Sequence, residues 1–539
     1  MIKKIVFGKV SSIANAAIVV ALASFASRLL GVVRDHVLAR QFGAGPALDI
    51  YYAAFRIPDL IYNLVIVGAI AAGFVPVLTG LIKSNEDASE SETGTHLAPA
   101  QNEEAWKLTN NVITVFSVVL VLLSMVGFIW SKQLVKWISP GFTIQQVNIT
   151  VIMTRIMFLS PVLMGISGIV SGTLQAFKRF LVFSLAPIMY NIGIIFGALF
   201  LTKPLDIYGL AWGVAIGAAL HLGVQIPALY HLGFKFRWYW SLSDTNLREI
   251  FKLMIPRLFG LATAQFNLII TTIFGSLIAS GSIAIFNLAN NLQSLPVGLI
   301  GVSFAIAAFP TLSQFYSRQD FRGFNSTLNQ TLRMILFVVL PVSFMLLVLK
   351  TEVVTIVLGA GQFTSNDVAL TANALWAFVV SLFAQALIPL LARAFFARHD
   401  TIAPLVAGVV GAVANIFFAW LMAYRFGVVG LTLAFSFGAI VNFLVLAWWL
   451  KKKIGDLDEQ KLIESLLKII GASVVMGGAM MLSRMLLLRW WTVDTMWQGL
   501  KMGVVLAIIG AAVYLMVCVL AKSRELNYLR GRFKAKMAK

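Results

Sequence analysis

"SFASRLLGVVRDHVLARQFGAG", residues 24–45, decides how the rest of the chain is read. The run before it, "SSIANAAIVVALA" at 11–23, is apolar enough to open a membrane-spanning helix, yet Arg28, Arg34 and Asp35 interrupt its continuation. A charge at the centre of a spanning helix costs about 2.5–3.5 kcal/mol on insertion scales, so a charge retained there marks a functional site by default.

The surrounding chain supports the membrane reading. Of its 539 residues 59% are hydrophobic and 12% charged, with mean hydropathy +0.88, outside the range of a soluble globular protein. Apolar runs of about 20 residues recur along the whole length, each long enough to cross a bilayer as a helix. The expected fold is an all-α polytopic membrane protein with 14 transmembrane helices, near 12–33, 47–81, 107–130, 147–175, 181–201, 208–231, 253–279, 284–316, 331–349, 367–396, 402–424, 428–450, 464–486 and 497–521. "MIKKIVFGKV" leads into a span too long for a signal-peptide core and shows no convincing cleavage site. The single cysteine, Cys518, excludes an internal disulfide framework.

Net charge is +20, and most of the 42 Lys and Arg residues fall in loops on the side that holds both termini. By the positive-inside rule that side is cytoplasmic. "KKK" at 451–453 and the tail "KSRELNYLRGRFKAKMAK" dominate it, and such clusters suit anionic lipid headgroups. Cations distributed loop by loop do not make a nucleic-acid footprint, so no nucleic-acid partner is expected. "SNEDASESETGTHLAPAQNEEA" (84–105) reads as a disordered linker. "FKFRWYWSLSDTNLREIFKL" (234–253), aromatic and basic together, is expected along the membrane interface.

An internal repeat divides the chain. "FGAG" (42–45) and "AAGFVPVL" (71–78) recur as "FGSL" (274–277) and "AIAAFPTL" (305–312). "SPGFT" (139–143) pairs with "GAGQFT" (359–364), "LQAFKRF" (174–180) with "ARAFFARHD" (392–400), and "YGLAWG" (208–213) with "VVGLTLA" (428–434). Each copy holds six expected spans, an even number, so both enter the membrane with the same polarity, as in transporters built of parallel repeats. The expected organisation is an N-terminal lobe at 1–233, an interfacial linker at 234–252, a C-terminal lobe at 253–453, and two further spans with a basic tail at 454–539.

Asp49, Arg56 and Asn63 are spaced by seven and share one stripe of the second span, beside Pro58. Arg28 and Arg34 flank Gly31 and would need a bend there to face one cavity. Few acids are in view, so a net positive cavity is expected, and arginine's planar fork suits phosphate. Catalytic and metal-binding patterns are thin. "DLD" (456–458) lies in a short charged loop, the five histidines lack ligand spacing, and "GAG" (43–45) opens no nucleotide-binding unit. No enzyme, no cofactor and no metal site are expected; a coupling cation is left open.

"SRLLGVVRDHVLARQFGAGPALDIYYAAFRIPDL", "GFVPVL", "SPGFT", "GQFTSND" and "FFARHDTIAP" together resemble the MurJ (MviN) lipid II flippase family of the MOP transporter superfamily. The resemblance spans nearly the whole chain. It implies transfer of an undecaprenyl-pyrophosphate-linked peptidoglycan precursor across the bacterial inner membrane by alternating access of two six-helix lobes. The last two spans would form a groove for the polyprenyl tail. Arg28, Arg34, Asp35 and Asp49 match family cavity positions, and Arg56 keeps the basic residue before the proline. Two departures stand out. Tyr62 occupies a place where relatives often carry an arginine, and Asn290 and Asn291 replace the usual Asp-Arg pair of the eighth span. Expected partners are the lipid-linked anionic substrate and the membrane, with cell-wall synthesis proteins also compatible, for a chain acting as a monomer. A transporter of another polyprenyl-linked glycan remains open, as does a cation-coupled drug exporter, against which the basic cavity and the span count argue. A scaffold without transport would have no need of intramembrane arginines.

Overall fold

The computed structural model describes residues 13–67, 73–90, 103–455, 458–489 and 496–528. Every regular element among them is helical. In the first half these are α1 (Ile13–Phe42), α2 (Pro46–Tyr62), α3 (Val75–Glu90), α4 (Glu103–Ile129), α5 (Ser131–Ile138), α6 (Ile144–Met157), α7 (Leu159–Ala176), α8 (Phe180–Phe196), α9 (Tyr208–Gly223), α10 (Ile226–His231) and α11 (Thr245–Ile278). The second half holds α12 (Ser282–Pro296), α13 (Ser303–Ser317), α14 (Phe321–Val348), α15 (Lys350–Leu358), α16 (Ser365–Val379), α17 (Leu382–Ala397), α18 (Ile402–Ile454), α19 (Glu459–Leu487) and α20 (Met496–Leu520).

Nine of these helical stretches are long and apolar enough to cross a bilayer, or ten if the pair α16 and α17, bent by 46°, is one span. The number is below 14 partly because α18 covers two expected spans. Its 53 residues would reach about 80 Å as one straight helix, far beyond the ~30 Å hydrocarbon core. It is instead two helices meeting at Gly427, whose φ of 61° and ψ of −142° no helix accommodates. The charged α1, the broken second span and α11 are the other expected crossings outside the nine.

The chain forms two compact units, Met1–Ser280 and Gly281–Lys539. This division places α11 with the first unit, whereas the repeat assigns 253–279 to the second copy. Duplication and packing are different criteria: α11 packs on α2, α4 and α5. The first unit's core joins Ile66, Phe74, Leu78, Phe116, Leu120, Leu174 and Ile250. In it α8 lies against both α1 and α9. Gly193 of α8 and Gly197, in the π turn that follows it, meet Gly217 and Gly213 of α9 so closely that a Cβ on Gly193 would come within 2.3 Å of the Gly217 Cα. Such small-residue contacts let backbones approach where apolar lipid supplies no hydrophobic drive.

Local features recur at the positions the sequence pairs. "SPGFT" and "GAGQFT" both end in capping boxes, Thr143 with Gln146 and Thr364 with Asp367. "LQAFKRF" and "ARAFFARHD" both close a helix through a left-handed residue, Lys178 (φ 58°) and His399 (φ 59°). The second expected span turns π-helical at Asn63–Val67, and its repeat mate does so at Val297–Val302.

The 84–105 segment differs from expectation at both ends, since α3 runs helical to Glu90 and α4 starts at Glu103. Residues 91–102 lie outside the described residues, as do 456–457 of "DLD" and the tail beyond 528. The last two expected spans are integral to the second unit. Ile469, Met476, Met480, Met502, Leu506, Tyr514 and Cys518 share its main core with Phe337 and Leu336 of α14.

Candidate substrate cavity in the first unit

The cavity is built from α1, α2, α7 and α8. It holds about 220 Å³ and is lined by Arg34, Phe55, Pro58, Asp59, Tyr62, Ser160, Met164 and Tyr190. Pro46 opens α2 just after Gly45, where its missing N–H would be unpaired anyway. Twelve positions on, Pro58 interrupts the backbone ladder inside the helix, and the π turn follows from Asn63. The cavity sits beside that irregularity, and π segments in helices frequently mark function.

Arg34 is its most elaborated group. Its Nε and Nη2 both donate to Oδ1 of Asp35, at 3.0 and 2.8 Å, and its Nη1 donates to Oδ1 of Asn191 at 3.2 Å. Asn191 is oriented by donating its Nδ2 to the Pro187 carbonyl at 3.0 Å. One N–H on each terminal nitrogen of Arg34 stays uncommitted among the described residues, which leaves a two-pronged donor at the cavity wall. Tyr51 and Tyr52 stand beside the Arg34–Asp35 pair. Tyr190 shares a hydrogen bond with Ser160 across the cavity.

On α2, Asp49 is buried near the first turn, and Arg56, also buried, donates its Nε to Oγ1 of Thr272 on α11 at 2.8 Å. Asn63 donates its Nδ2 to the Asp59 carbonyl oxygen (2.9 Å) and to the Asp59 carboxylate (2.8 Å). Asp35, Arg34, Arg56, Asp59 and Asn63 therefore gather around the α1–α2 region. Arg28 does not join them. The helix runs unbroken through Gly31, so residues six apart point to different sides, and no hydrogen bond or ion pair reaches Arg28 among the described residues. Asn290 and Asn291 belong to the second unit. There Gln293 donates to Asn290 Oδ1 and to Gln385 Oε1, both at 3.0 Å, and Gln385 continues the chain to Ser381.

A whole-length comparison with known families decides the assignment: the sequence profile described as "Lipid II flippase MurJ" matches residues 38–533. The chain belongs to this family. A "Lipid II flippase MurJ" of Burkholderia cenocepacia is 28% identical, with 88% of this chain and 89% of that protein aligned. A "Probable lipid II flippase MurJ" of Buchnera aphidicola subsp. Acyrthosiphon pisum is 30% identical over 85% of this chain and 87% of its own. Among solved structures, "Lipid II flippase MurJ, inward closed conformation" superposes with TM-score 0.73 at 24% identity, covering 94% of this chain and 99% of that one. An inward-facing MATE-family multidrug resistance transporter of the MOP superfamily superposes with TM-score 0.66 at 13% identity, over 80% of this chain and 96% of its own. These structural likenesses establish a MOP-type fold.

Two features of the family site were not legible beforehand. Asp59 stands on the cavity wall, and with Asp35 it gives two carboxylates against Arg34 and Arg56, with Arg28 lying apart. The expected positive excess is therefore absent from the first unit's cluster. The signal was present, because "FRIPDL" puts an acid inside an apolar stretch immediately after the proline. Tyr190 and Asn191 gave no such signal, being neutral residues in the apolar run "FLVFSLAPIMYNIGIIF". Tyr62 is on the cavity wall.

Proposed function

We propose that the chain moves lipid II from the cytoplasmic to the periplasmic leaflet of the bacterial inner membrane. The observation that carries this reading is the family match over residues 38–533. The cavity supplies a chemical place for it. Arg34 offers two N–H groups to a diphosphate, Tyr62 and Tyr190 offer neutral polar edges, and Asp35 with Asn191 fixes the guanidinium plane. A volume of about 220 Å³ suits the pyrophosphate end of the substrate and leaves the sugars and peptide outside it. In this reading the protein has 14 spans, both termini are cytoplasmic, and it acts as a monomer by alternating access. No catalytic residue and no cofactor take part, and coupling to a cation is compatible with the site.

Complementation tests the assignment: expression in a strain depleted of its own lipid II flippase should restore growth. Failure of a protein that is expressed and inserted would reject it. A second reading, transport of a different polyprenyl-linked glycan, draws on Tyr62 and Asn291, neutral where relatives carry arginines. It predicts no rescue in that strain, with binding of another carrier lipid by the same cavity.

A further inference from the structure

Residues 234–241, between α10 and α11, have no regular secondary structure, yet they are held as firmly as a strand in a sheet. Two consecutive asparagines near the start of α4, both buried, stand in for the neighbouring strand. Asn110 donates its Nδ2 to the Lys235 carbonyl (3.2 Å) and accepts at Oδ1 from the Arg237 N–H (2.9 Å). Asn111 donates its Nδ2 to the Ser241 carbonyl (2.8 Å) and accepts from the Ser241 N–H (2.9 Å). Backbone groups of residues 235, 237 and 241 thus all turn the same way, which is the two-residue period of extended chain. Phe234 anchors the entry to the segment, packed edge-on to Trp106, which stacks on Phe177. Further along, Lys107 lies over the Tyr239 ring.

That period puts the even-numbered residues on the opposite pleat from their neighbours. Phe236, Trp238 and Trp240 are exposed at 50%, 69% and 46%, an apolar edge on the extended segment, and Leu242 in the turn that follows is exposed at 53%. At the same end of the first unit, α11 continues the apolar exposure with Leu253 and Ile255. The odd-numbered Lys235 and Arg237 are exposed too, but carry charge.

We propose that residues 236–242 form a non-helical strap whose aromatic edge inserts into the headgroup–acyl boundary of the phospholipid leaflet at the membrane face where α4 begins. Three observations favour lipid over a protein partner. Trp and Phe side by side, with cations between them, match the chemistry of that boundary, where amphipathic rings sit and lysines and arginines stay with the phosphates. The segment is continuous at both ends with helices of the membrane domain. Extended backbone at such depth must also have its polar groups satisfied, and the two buried asparagine amides satisfy the inward edge. The strap would hold the first turn of α11 at the bilayer surface. This inference does not depend on which lipid-linked substrate the cavity takes.

The single native cysteine makes the test direct. In a Cys518→Ser background, cysteines placed one at a time at 235, 236, 237, 238, 240 and 242 are spin-labelled, and the protein is put into discs of phospholipid alone. Power saturation then compares collision with oxygen, which concentrates in lipid, and with a water-soluble nickel chelate. The expected result alternates: labels at 236, 238, 240 and 242 favour oxygen, and labels at 235 and 237 favour nickel. The alternation should collapse in an Asn110→Ala, Asn111→Ala variant that still purifies as a single species. Nickel-accessible labels at all six positions would overturn the proposal and leave the aromatic edge to a protein partner. Uniform oxygen preference without alternation would overturn it as well.

Discussion

Replacing Arg34 by lysine separates its ion pair with Asp35 from the diphosphate-binding role proposed for it. Lysine keeps a positive charge beside Asp35, so the buried carboxylate retains a partner. It carries its three donors on one nitrogen and cannot hold Asp35 and Asn191 while also presenting a planar pair of N–H groups to a ligand. A hydrogen bond to a charged group contributes about 1.5–3 kcal/mol. Losing one such bond to a diphosphate corresponds to roughly a 10- to 150-fold weaker Kd. Stability should change little. Arg34→Ala is a different perturbation, because it removes the ion pair to the buried Asp35. Removing one partner of a fully buried pair costs about 3–5 kcal/mol, and with the Arg34 side chain 24% exposed, solvent screening brings the cost below that range. Asp35→Asn in the alanine background should recover much of the lost stability without recovering binding. The assay is native mass spectrometry or fluorescence titration of lipid II against each purified variant, with thermal unfolding alongside. Unchanged lipid II affinity in a folded Arg34→Lys variant would refute the fork argument. Unchanged melting in Arg34→Ala would refute the claim that Asp35 depends on this partner.

Gly193→Leu should push α8 away from α9, since even a Cβ there would lie 2.3 Å from the Gly217 Cα; overpacking of this kind typically costs about 1–3 kcal/mol or more, read as a lower melting temperature in detergent. Asp400, between the ends of α17 and α18, accepts from the Ile402 and Ala403 N–H groups and pairs with Lys453. Burial alone would raise its pKa, but the Lys453 hydrogen bond and charge and the two backbone donors hold it below the ordinary 3.8. A depressed folded-state pKa means that this stabilisation is complete above the unfolded value and fades as pH falls through the folded one, so the melting difference between wild type and Asp400→Asn should be constant near neutrality and shrink below about pH 4. Ending the chain after Lys453 should destabilise the second unit rather than leave it intact. That truncation removes Arg484 from the buried Glu352 (2.7 Å) and the Tyr514 hydroxyl from the Phe337 carbonyl (2.7 Å), and limited proteolysis of the truncated protein would show the loosening.

The class of the protein, an all-helical chain with membrane-length apolar helices, was legible because it rests on properties each residue carries by itself: the length and apolarity of its runs. "SPGFT" and "GAGQFT" could be matched as sequence, and in the structure both end in capping boxes, Thr143 with Gln146 and Thr364 with Asp367. Contacts between distant segments were legible only where a charge advertised them. Arg34 and Arg56 stood out, whereas their partners Asn191 and Thr272 lie 157 and 216 residues away and look like ordinary polar residues of apolar helices. The bend at Gly31 that Arg28 and Arg34 would need to face one cavity is not present. A glycine permits a bend without requiring one, and α1 stays straight enough for its other side to pack on α8. The sharp change of direction in α18 is instead at Gly427, whose positive φ leaves no choice.

The charge balance of the cavity bears on how it can work. Three bare arginines in a membrane helix pair would be costly to insert and would hold an anion too well to release it. Asp35, next to Arg34 in sequence, lies about 100° around the helix, and the long arginine side chain folds over to reach it. The pair is therefore made within one turn of α1, before any other helix packs against it. In the second span Asp59 follows Arg56 by three residues, one turn along, and accepts from Asn63 in the π turn. Each helix thus arrives with its charge partly compensated, which lowers the cost of having it in the membrane at all. On the proposed function, an incoming diphosphate would meet an arginine whose plane is already set by Asp35 and Asn191, while the Asp35 and Asp59 carboxylates would repel it. Binding is limited to the modest surplus of the fork over that repulsion. For a carrier that must let go of its substrate on the far side, a limited surplus is the useful arrangement.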